Sequence, residues 1–190
     1  MKVGLYFGSF NPIHHGHLII ANHIVSNTEL DQIWFVVSPQ NPLKPSAGLL
    51  NEYHRLHLVR LAIEEEERFR VTDIEFHLPR PSYTIDTLTY LSEKYAQHSF
   101  TVIMGSDSYQ NLPKWKNHQQ LQANYDLLIY LRPKFLVKLG DDNTRTTIVD
   151  APMLEISATY IRNTIRNGKS IRYLVPEKVR EEIERNSYYS

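Results

Sequence analysis

Ile33-Trp34-Phe35-Val36-Val37 is an unbroken apolar run of strand length, and a strand apolar on both sides must be covered on both faces, as in a parallel sheet. Four further runs read as strands: Lys2 to Phe7, which stops at Gly8, Arg70 to Phe76, Phe100 to Met104 and Asp126 to Leu131, with Thr147 to Val149 a weaker sixth. Helical stripes separate several of them. Apolar residues recur at helical spacing from Leu18 to Val25. Tyr53, Leu56, Val59 and Ile63 do so behind the N-cap candidate Asn51, running into the acidic face Glu64 to Glu67. Ile85, Leu88, Leu91 and Tyr95 form one stripe, a helix is expected from Ser157 to about the C′ residue Gly168, and Pro176 begins a last one through Glu184. Strands alternating with helices imply right-handed crossovers, so the expected class is α/β, a doubly wound parallel sheet with a C-terminal helical segment. Ligands of such sheets bind beyond the carboxyl ends of the strands.

A length of 190 residues suggests one domain, residues 1–190. Lysine plus arginine and aspartate plus glutamate both total 21, so the basic excess that drives phosphate-backbone binding is missing and a general nucleic-acid binder is not expected. The absence of cysteine excludes disulfides, thiolate metal sites and cysteine nucleophiles, and fits a reducing compartment. Apolar runs of only a few residues and an N-terminus that goes straight into a strand predict a soluble, cytoplasmic protein with no membrane partner. The loop carrying Pro39, Pro42 and Pro45 is not expected to be helical, and Lys134 to Thr146 is polar enough for a mobile surface loop.

Chemistry concentrates where the first strand empties into Gly8-Ser9-Phe10-Asn11-Pro12-Ile13-His14-His15-Gly16-His17, with Gly16 and His17 opening the next helix. Glycine admits close backbone approach and a helix N-terminus presents unpaired N–H groups at its positive end, which together suit a phosphate. His14 and His17, three residues apart, can reach one anion, donating hydrogen bonds and, if protonated, charge. The segment is neither a Walker A loop nor GxGxxG, and on spacing alone a histidine-rich surface turn explains it as well.

Gly8 to His17 resembles the G-x-F-[DN]-P-x-H-x-G-H motif of the nucleotidylyltransferase superfamily, and Ile156-Ser157-Ala158-Thr159-Tyr160-Ile161-Arg162 its second motif, I-S-S-T-x-I-R. Within that superfamily the chain is most similar to the bacterial nicotinate-nucleotide adenylyltransferases over nearly its whole length. Ser82-Tyr83-Thr84-Ile85-Asp86-Thr87-Leu88 looks like that family's S-Y-T-I-D-T-L, Gly105-Ser106-Asp107 like its G-x-D, and Trp115 like a tryptophan shortly after it. Arg132-Pro133 and Tyr173-Leu174-Val175-Pro176 are similar to its R-P and Y-L-V-P. Asn11 stands where many members have aspartate, keeping hydrogen-bonding capacity without the charge, and Ala158 lacks the hydroxyl of the motif's second serine.

The resemblance implies a Rossmann-like nucleotidylyltransferase domain that transfers AMP from ATP to nicotinate mononucleotide, releasing pyrophosphate. It places His14, His17 and Arg162 in catalysis. Gly8, Ser9, Phe10, Gly16, Gly105, Asp107, Ile156, Ser157 and Thr159 are then expected at ATP. Asn11, Lys44, Ser82, Tyr83, Thr84, Trp115 and Arg132 are expected at the acceptor, with Ser82 to Thr84 receiving its carboxylate at a helix start, Trp115 facing its ring and Lys44 or Arg132 meeting its phosphate. Mg²⁺ would bridge phosphate oxygens with few protein ligands, and no dedicated metal site is expected. The plainer readings are a helix cap at Ser82 to Thr84, a packing tryptophan at 115 and a solvated lysine at 44.

Three alternatives compete: pantetheine-phosphate adenylyltransferase, a metallohydrolase ligated by His14, His17, His54 and His57, and a catalytically silent nucleotide sensor. His15, His23, His77, His98 and His118 carry no assigned role, Tyr188 and Tyr189 could pack or fray, and the sequence assigns no oligomeric state.

Overall fold

The computed structural model describes residues 1–40, 48–133, 135–137, 144–152 and 154–190. Its strands are β1 (Lys2–Gly8), β2 (Gln32–Val37), β3 (Phe69–Thr72), β4 (Ser99–Gly105), β5 (Asp126–Tyr130) and β6 (Thr146–Val149). They form one sheet in the order β3-β2-β1-β4-β5-β6, every neighbouring pair parallel, with Leu5 of β1 in register beside Trp34 of β2 and Val102 of β4. Helices α1 (His15–Asn27), α2 (Glu52–Ile63), α3 (Thr84–Lys94), α4 (Ser106–Gln110), α5 (His118–Asn124), α6 (Ala158–Arg166) and α7 (Glu177–Arg185) cover it.

The period-two geometry of a strand sorts the apolar runs into two layers. Ile33, Phe35 and Val37 of β2 join Ile103 and Leu128 in a layer closed by Ala21, Ile24, Leu56, Val59, Ile161 and Val179 from α1, α2, α6 and α7. Trp34 and Val36 turn the other way and join Val3, Leu5, Val102, Met104, Leu127 and Ile129 against Ile85, Leu88 and Leu91 of α3 and Leu121 of α5. Both sheet faces are therefore covered, as the unbroken run at 33–37 requires.

Caps hold where the sequence places them. The Asn51 side chain accepts from Tyr53 N at 2.9 Å, and Gly168 follows α6 at φ +64° with its N–H donated to Ile165 O at 2.9 Å. The third strand is shorter than the expected Arg70 to Phe76. It ends at Thr72, and a 3₁₀ turn occupies Ile74–His77. Thr72 Oγ1 takes the Ile74 N–H at 3.2 Å and Asp73 O takes that of Phe76 at 2.8 Å, so side-chain and turn bonds replace the ladder. Between β4 and β5, where patterning gives no assignment, lie α4, a 3₁₀ turn at Leu112–Lys114 and α5. Of the expected loop from Lys134 to Thr146, Lys134 and 138–143 lie outside the described residues, and Thr146 already belongs to β6. Among the described residues no helix is long and apolar enough to cross a membrane.

Candidate active site

The strand order changes direction between β1 and β4, the switch point at which an open parallel sheet leaves a crevice beyond its carboxyl ends. The segment Ser9 to His14 leaves β1 there. Gly8 ends the strand, its carbonyl accepting from Ser38 N at 2.9 Å. Phe10 turns back into the core, its ring 5.8 Å from that of Tyr6, 5.6 Å from Phe35 and 5.2 Å from His17. Phe10 thus shapes this loop by anchoring its ring in the core. Its backbone has φ +44°, a left-handed conformation costing a non-glycine residue about 1 kcal/mol.

Two guanidinium groups grip the turn from either side of Phe10. Arg55 Nη1 donates to Ser9 O at 2.6 Å, and Arg162 Nη1 donates to Asn11 O at 2.8 Å. Arg55, 0% exposed, also donates to Leu50 O, Ser38 O and Pro39 O at 2.8, 2.8 and 3.1 Å, and burial lowers its pKa to about 10, so it remains a cation at neutral pH. The Asn11 side chain points away from the crevice, donating to Gly48 O at 3.0 Å and accepting from Leu50 N at 3.1 Å. An aspartate here could accept from Leu50 but not donate to Gly48, which gives the asparagine a physical reason. Asn11 thus gives its carbonyl to Arg162 and its side chain to the segment before α2.

His14 caps α1, and its ring lies 3.8 Å from that of His17, centroid to centroid. Gly16 leaves room for the His14 ring: a Cβ there would stand 3.0 Å from His14 Cε1 and Nδ1 and press the ring aside. The His14 backbone N–H donates to His17 Nδ1 at 3.3 Å, which in the neutral imidazole puts the His17 proton on Nε2. His14 is 5% exposed, and burial, then Arg132, then His15 push its pKa down to about 4. The imidazole is thus a neutral donor at physiological pH rather than the charge that spacing alone allows.

That depression has a measurable consequence. Because the unfolded chain takes up the proton near pH 6.5 and the folded one only near 4, stability present above pH 6.5 is lost as pH falls between these values. The expected loss from this group is about 3 kcal/mol by pH 4. Urea unfolding of wild type and His14→Gln from pH 7.5 to 4.5 should show the gap between them shrinking as pH falls. A constant gap would contradict the assignment.

The second motif packs on the first. Ile156 O lies 3.7 Å from where a Gly16 Cβ would be, and Ser157 caps α6, its Oγ accepting from Tyr160 N at 3.1 Å. Thr159, in the first turn of α6, accepts from Arg162 Nη2 at 3.2 Å. Leu174 O accepts the His15 N–H at 3.1 Å, so the Tyr173 to Pro176 segment fixes the start of α1. Tyr188 and Tyr189 pack rather than fray: Tyr188 Oη meets His54 Nδ1 at 2.9 Å, and burial raises the Tyr189 pKa against the opposing fields of Arg55 and Arg162.

Across the crevice, Gly105 ends β4 and Asp107 lies in the first turn of α4. A Cβ on Gly105 would stand 2.5 Å from Asp107 Oδ1, 2.9 Å from Arg132 Nε and 3.2 Å from Tyr130 Cζ, so glycine lets these groups meet. Arg132 Nε pairs with Asp107 Oδ1 at 3.3 Å, and its backbone N–H donates to Ser106 Oγ at 2.8 Å.

Three of the acceptor candidates, Ser82, Tyr83 and Thr84, lie at the start of α3, while Asn11 and Arg132 lie after β1 and β5. Tyr83 caps that helix without a side-chain hydrogen bond, which leaves the N–H groups of Thr84 and Ile85 without a capping side chain. Ser82 is buried and turns inward, donating to Glu75 Oε2 at 2.7 Å, so its hydroxyl proton is not presented to a ligand. Glu75, which sequence reasoning missed, also accepts from Thr87 Oγ1 at 3.0 Å, and burial raises its pKa. Trp115 packs half-buried against the same apolar layer as Tyr83, and Lys116 ties the two segments by pairing with Asp86 at 2.8 Å and lying 4.9 Å from the Tyr83 ring centroid. Lys44 lies outside the described residues.

The four-histidine metal reading is not assembled, since His54 bonds Tyr188 and His57 faces Glu182 at 3.6 Å. Among the described residues no three histidine or acidic side chains group to hold a metal ion.

Residues 5–164 match the family model described as cytidylyltransferase-like. The chain is 53% identical over 190 residues to a Cytophaga hutchinsonii protein named probable nicotinate-nucleotide adenylyltransferase, covering 100% of this chain and 99% of that protein. It is 47% identical over 197 residues to a Flavobacterium johnsoniae protein of the same name, covering 100% and 99%. Among solved structures it is similar to the Plasmodium falciparum nicotinic acid mononucleotide adenylyltransferase complexed with NaAD, with TM-score 0.83 at 20% identity over 99% of this chain and 97% of that one.

Proposed function

The chain belongs to the cytidylyltransferase-like family and, within it, to the nicotinate-nucleotide adenylyltransferases, and we propose that it transfers AMP from Mg·ATP to nicotinate mononucleotide, yielding nicotinate adenine dinucleotide and pyrophosphate. The observation that carries this reading is the 2.8 Å bond from Arg162 to the Asn11 carbonyl, which joins residues 151 apart and brings the two motifs together around the start of α1. That closure makes an anion site of one helix N-terminus, two imidazoles and a guanidinium.

A 5′-phosphate oxygen of the acceptor attacks the α-phosphorus of ATP. The new P–O bond forms as the α–β bridge breaks, and pyrophosphate leaves with the electron pair. The attacking oxygen is already ionised, so neither a general base nor a covalent nucleophile is needed, and positioning and charge stabilisation supply the rate. In this reading His14 and the Nε2–H of His17 donate to α-phosphate oxygens, Gly8 to Phe10 and Gly16 supply close backbone, and Thr159 and Arg162 hold the β- and γ-phosphates. Mg²⁺, as part of the substrate Mg·ATP, would supply charge neutralisation at the phosphates beside His14, His17 and Arg162. The first-turn N–H groups of α3 take the nicotinate carboxylate, Trp115 faces the ring and Arg132 meets the acceptor phosphate. We read residues 1–190 as one domain working in the cytoplasm.

The test is adenylyl transfer from Mg·ATP to nicotinate mononucleotide, nicotinamide mononucleotide and phosphopantetheine in parallel, following pyrophosphate. The expected result is turnover with the nicotinate acceptor and a kcat/KM about 10²-fold lower for the amide, because a site built from N–H donors is left poorly matched without the carboxylate. Turnover with phosphopantetheine would move the acceptor assignment, and no turnover with any of the three would overturn the enzymatic reading.

A further inference from the structure

We propose that Tyr130, braced by Tyr6, is a positioning residue that sets the Arg132 guanidinium over the crevice for the acceptor phosphate. This rests on the assignment of Arg132 to that phosphate.

Tyr130 is the last residue of β5 and Tyr6 lies in β1, and both are buried on the sheet face that carries His17 and Phe10. Their side chains span β4, which lies between the two strands, and meet Oη to Oη at 3.2 Å with Tyr6 donating. Arg132 Nη2 donates to the same Tyr130 oxygen at 3.1 Å, and the guanidinium carbon lies 5.6 Å from the Tyr130 ring centroid. The phenol therefore holds the guanidinium by its oxygen and flanks it with its ring. Asp107 at Nε and Ser106 at the backbone N–H supply two further points of attachment. A long, flexible side chain held this way has lost its rotamer freedom before substrate arrives, so binding an anion does not bear that cost.

Burial raises the Tyr6 pKa well above 10, so this phenol stays a proton donor across the working pH range. Its donated bond places one proton on the Tyr130 oxygen, and the arginine places a second, which fills both lone pairs of that hydroxyl. Neither phenol is among the groups assigned to phosphate or ring contact, and their buried hydroxyls bond each other and Arg132 instead. A phenylalanine at 130 keeps the ring and its packing and removes the acceptor shared by Arg132 and Tyr6.

The experiment is steady-state kinetics of Tyr130→Phe, Tyr6→Phe, Arg132→Ala and the double variant Tyr130→Phe/Arg132→Ala, each checked for its thermal midpoint. Tyr130→Phe is expected to raise the nicotinate mononucleotide KM about 5- to 10-fold, the loss typical of one ordinary hydrogen bond, with kcat and the ATP KM changed less than about twofold. Tyr6→Phe should shift the same KM in the same direction by less. In the Arg132→Ala background Tyr130→Phe should add nothing, since the phenol acts through the arginine. If Arg132→Ala raises the acceptor KM while Tyr130→Phe does not, the positioning role is wrong and the Arg132 assignment stands. If Arg132→Ala leaves the acceptor KM unchanged, that assignment fails and the proposal fails with it. Equal losses in kcat and both KM values for Tyr130→Phe would show a general structural effect and overturn the proposal.

Discussion

His17→Ala is expected to lower kcat about 10²- to 10³-fold, with a smaller change in the KM for ATP, read as pyrophosphate release at saturating substrates. The His17 ring is anchored through Nδ1. Nδ1 accepts the His14 backbone N–H at 3.3 Å, which makes Nε2 the donor nitrogen of the ring. The ring is set among Phe10, Tyr6 and His14 at 5.2, 6.1 and 3.8 Å between centroids, so its direction is fixed before substrate arrives. A donor fixed in advance and aimed at charge that develops in the transition state lowers the barrier more than it strengthens ground-state binding. His17→Gln, whose amide nitrogen can stand near the lost Nε2, should recover part of the rate. Alanine at wild-type kcat would remove His17 from the chemistry.

Much of this site is legible in the chain because its parts are local. A strand, a turn holding glycine and two histidines, and a helix start are contiguous from Lys2 to His17, and the second motif likewise announces its own cap at Ser157. The apolar runs declare six strands, and the unbroken one declares a sheet covered on both faces. What stays hidden is carried by isolated polar residues inside otherwise ordinary patterns. Arg55 sits in an amphipathic helix two residues after Tyr53, where a charge reads as solvated, yet it is fully buried against carbonyl oxygens from residues 9 to 50. Glu75 lies between Ile74 and Phe76 in what alternation reads as a strand, and only the turn at Ile74–His77 carries it to Ser82 and Thr87. Tyr6 and Tyr130 look like strand aromatics, and nothing in either run says that their hydroxyls meet across 124 residues. Each of these partners is distant in sequence, and periodicity carries no information on which distant groups converge.

Arg55→Ala is expected to cost about 3 kcal/mol of stability, the largest loss anticipated for any single polar side chain in the protein, and the reason is the number of groups it serves. Its guanidinium satisfies Ser9 O, Ser38 O, Pro39 O and Leu50 O, which come from the end of β1, the exit of β2 and the approach to α2. Among the described residues no carboxylate is hydrogen-bonded to it, so carbonyl oxygens are the direct partners of the buried cation, and the charge of Glu52 favours it from farther off. Removing it strands acceptors at about 1 kcal/mol each, while the relieved desolvation of the charge offsets part of that sum. With a urea slope of about 2 kcal/mol per molar, the midpoint should fall by roughly 1.5 M. Lysine keeps the charge but gathers its donors on one nitrogen, so Arg55→Lys should recover less than half of the loss. Activity should fall as well, even well below the unfolding temperature. Phe10 holds its left-handed backbone between the Ser9 carbonyl gripped by Arg55 and the Asn11 carbonyl gripped by Arg162, and with one grip gone the turn relaxes and His17 loses its aim. Arg55→Met separates charge from volume, since it fills the space without donors. If it matched wild type in both urea midpoint and kcat, the four carbonyl contacts would contribute nothing, and the turn at Ser9 to Asn11 would have to be held by Arg162 and the packing of Phe10.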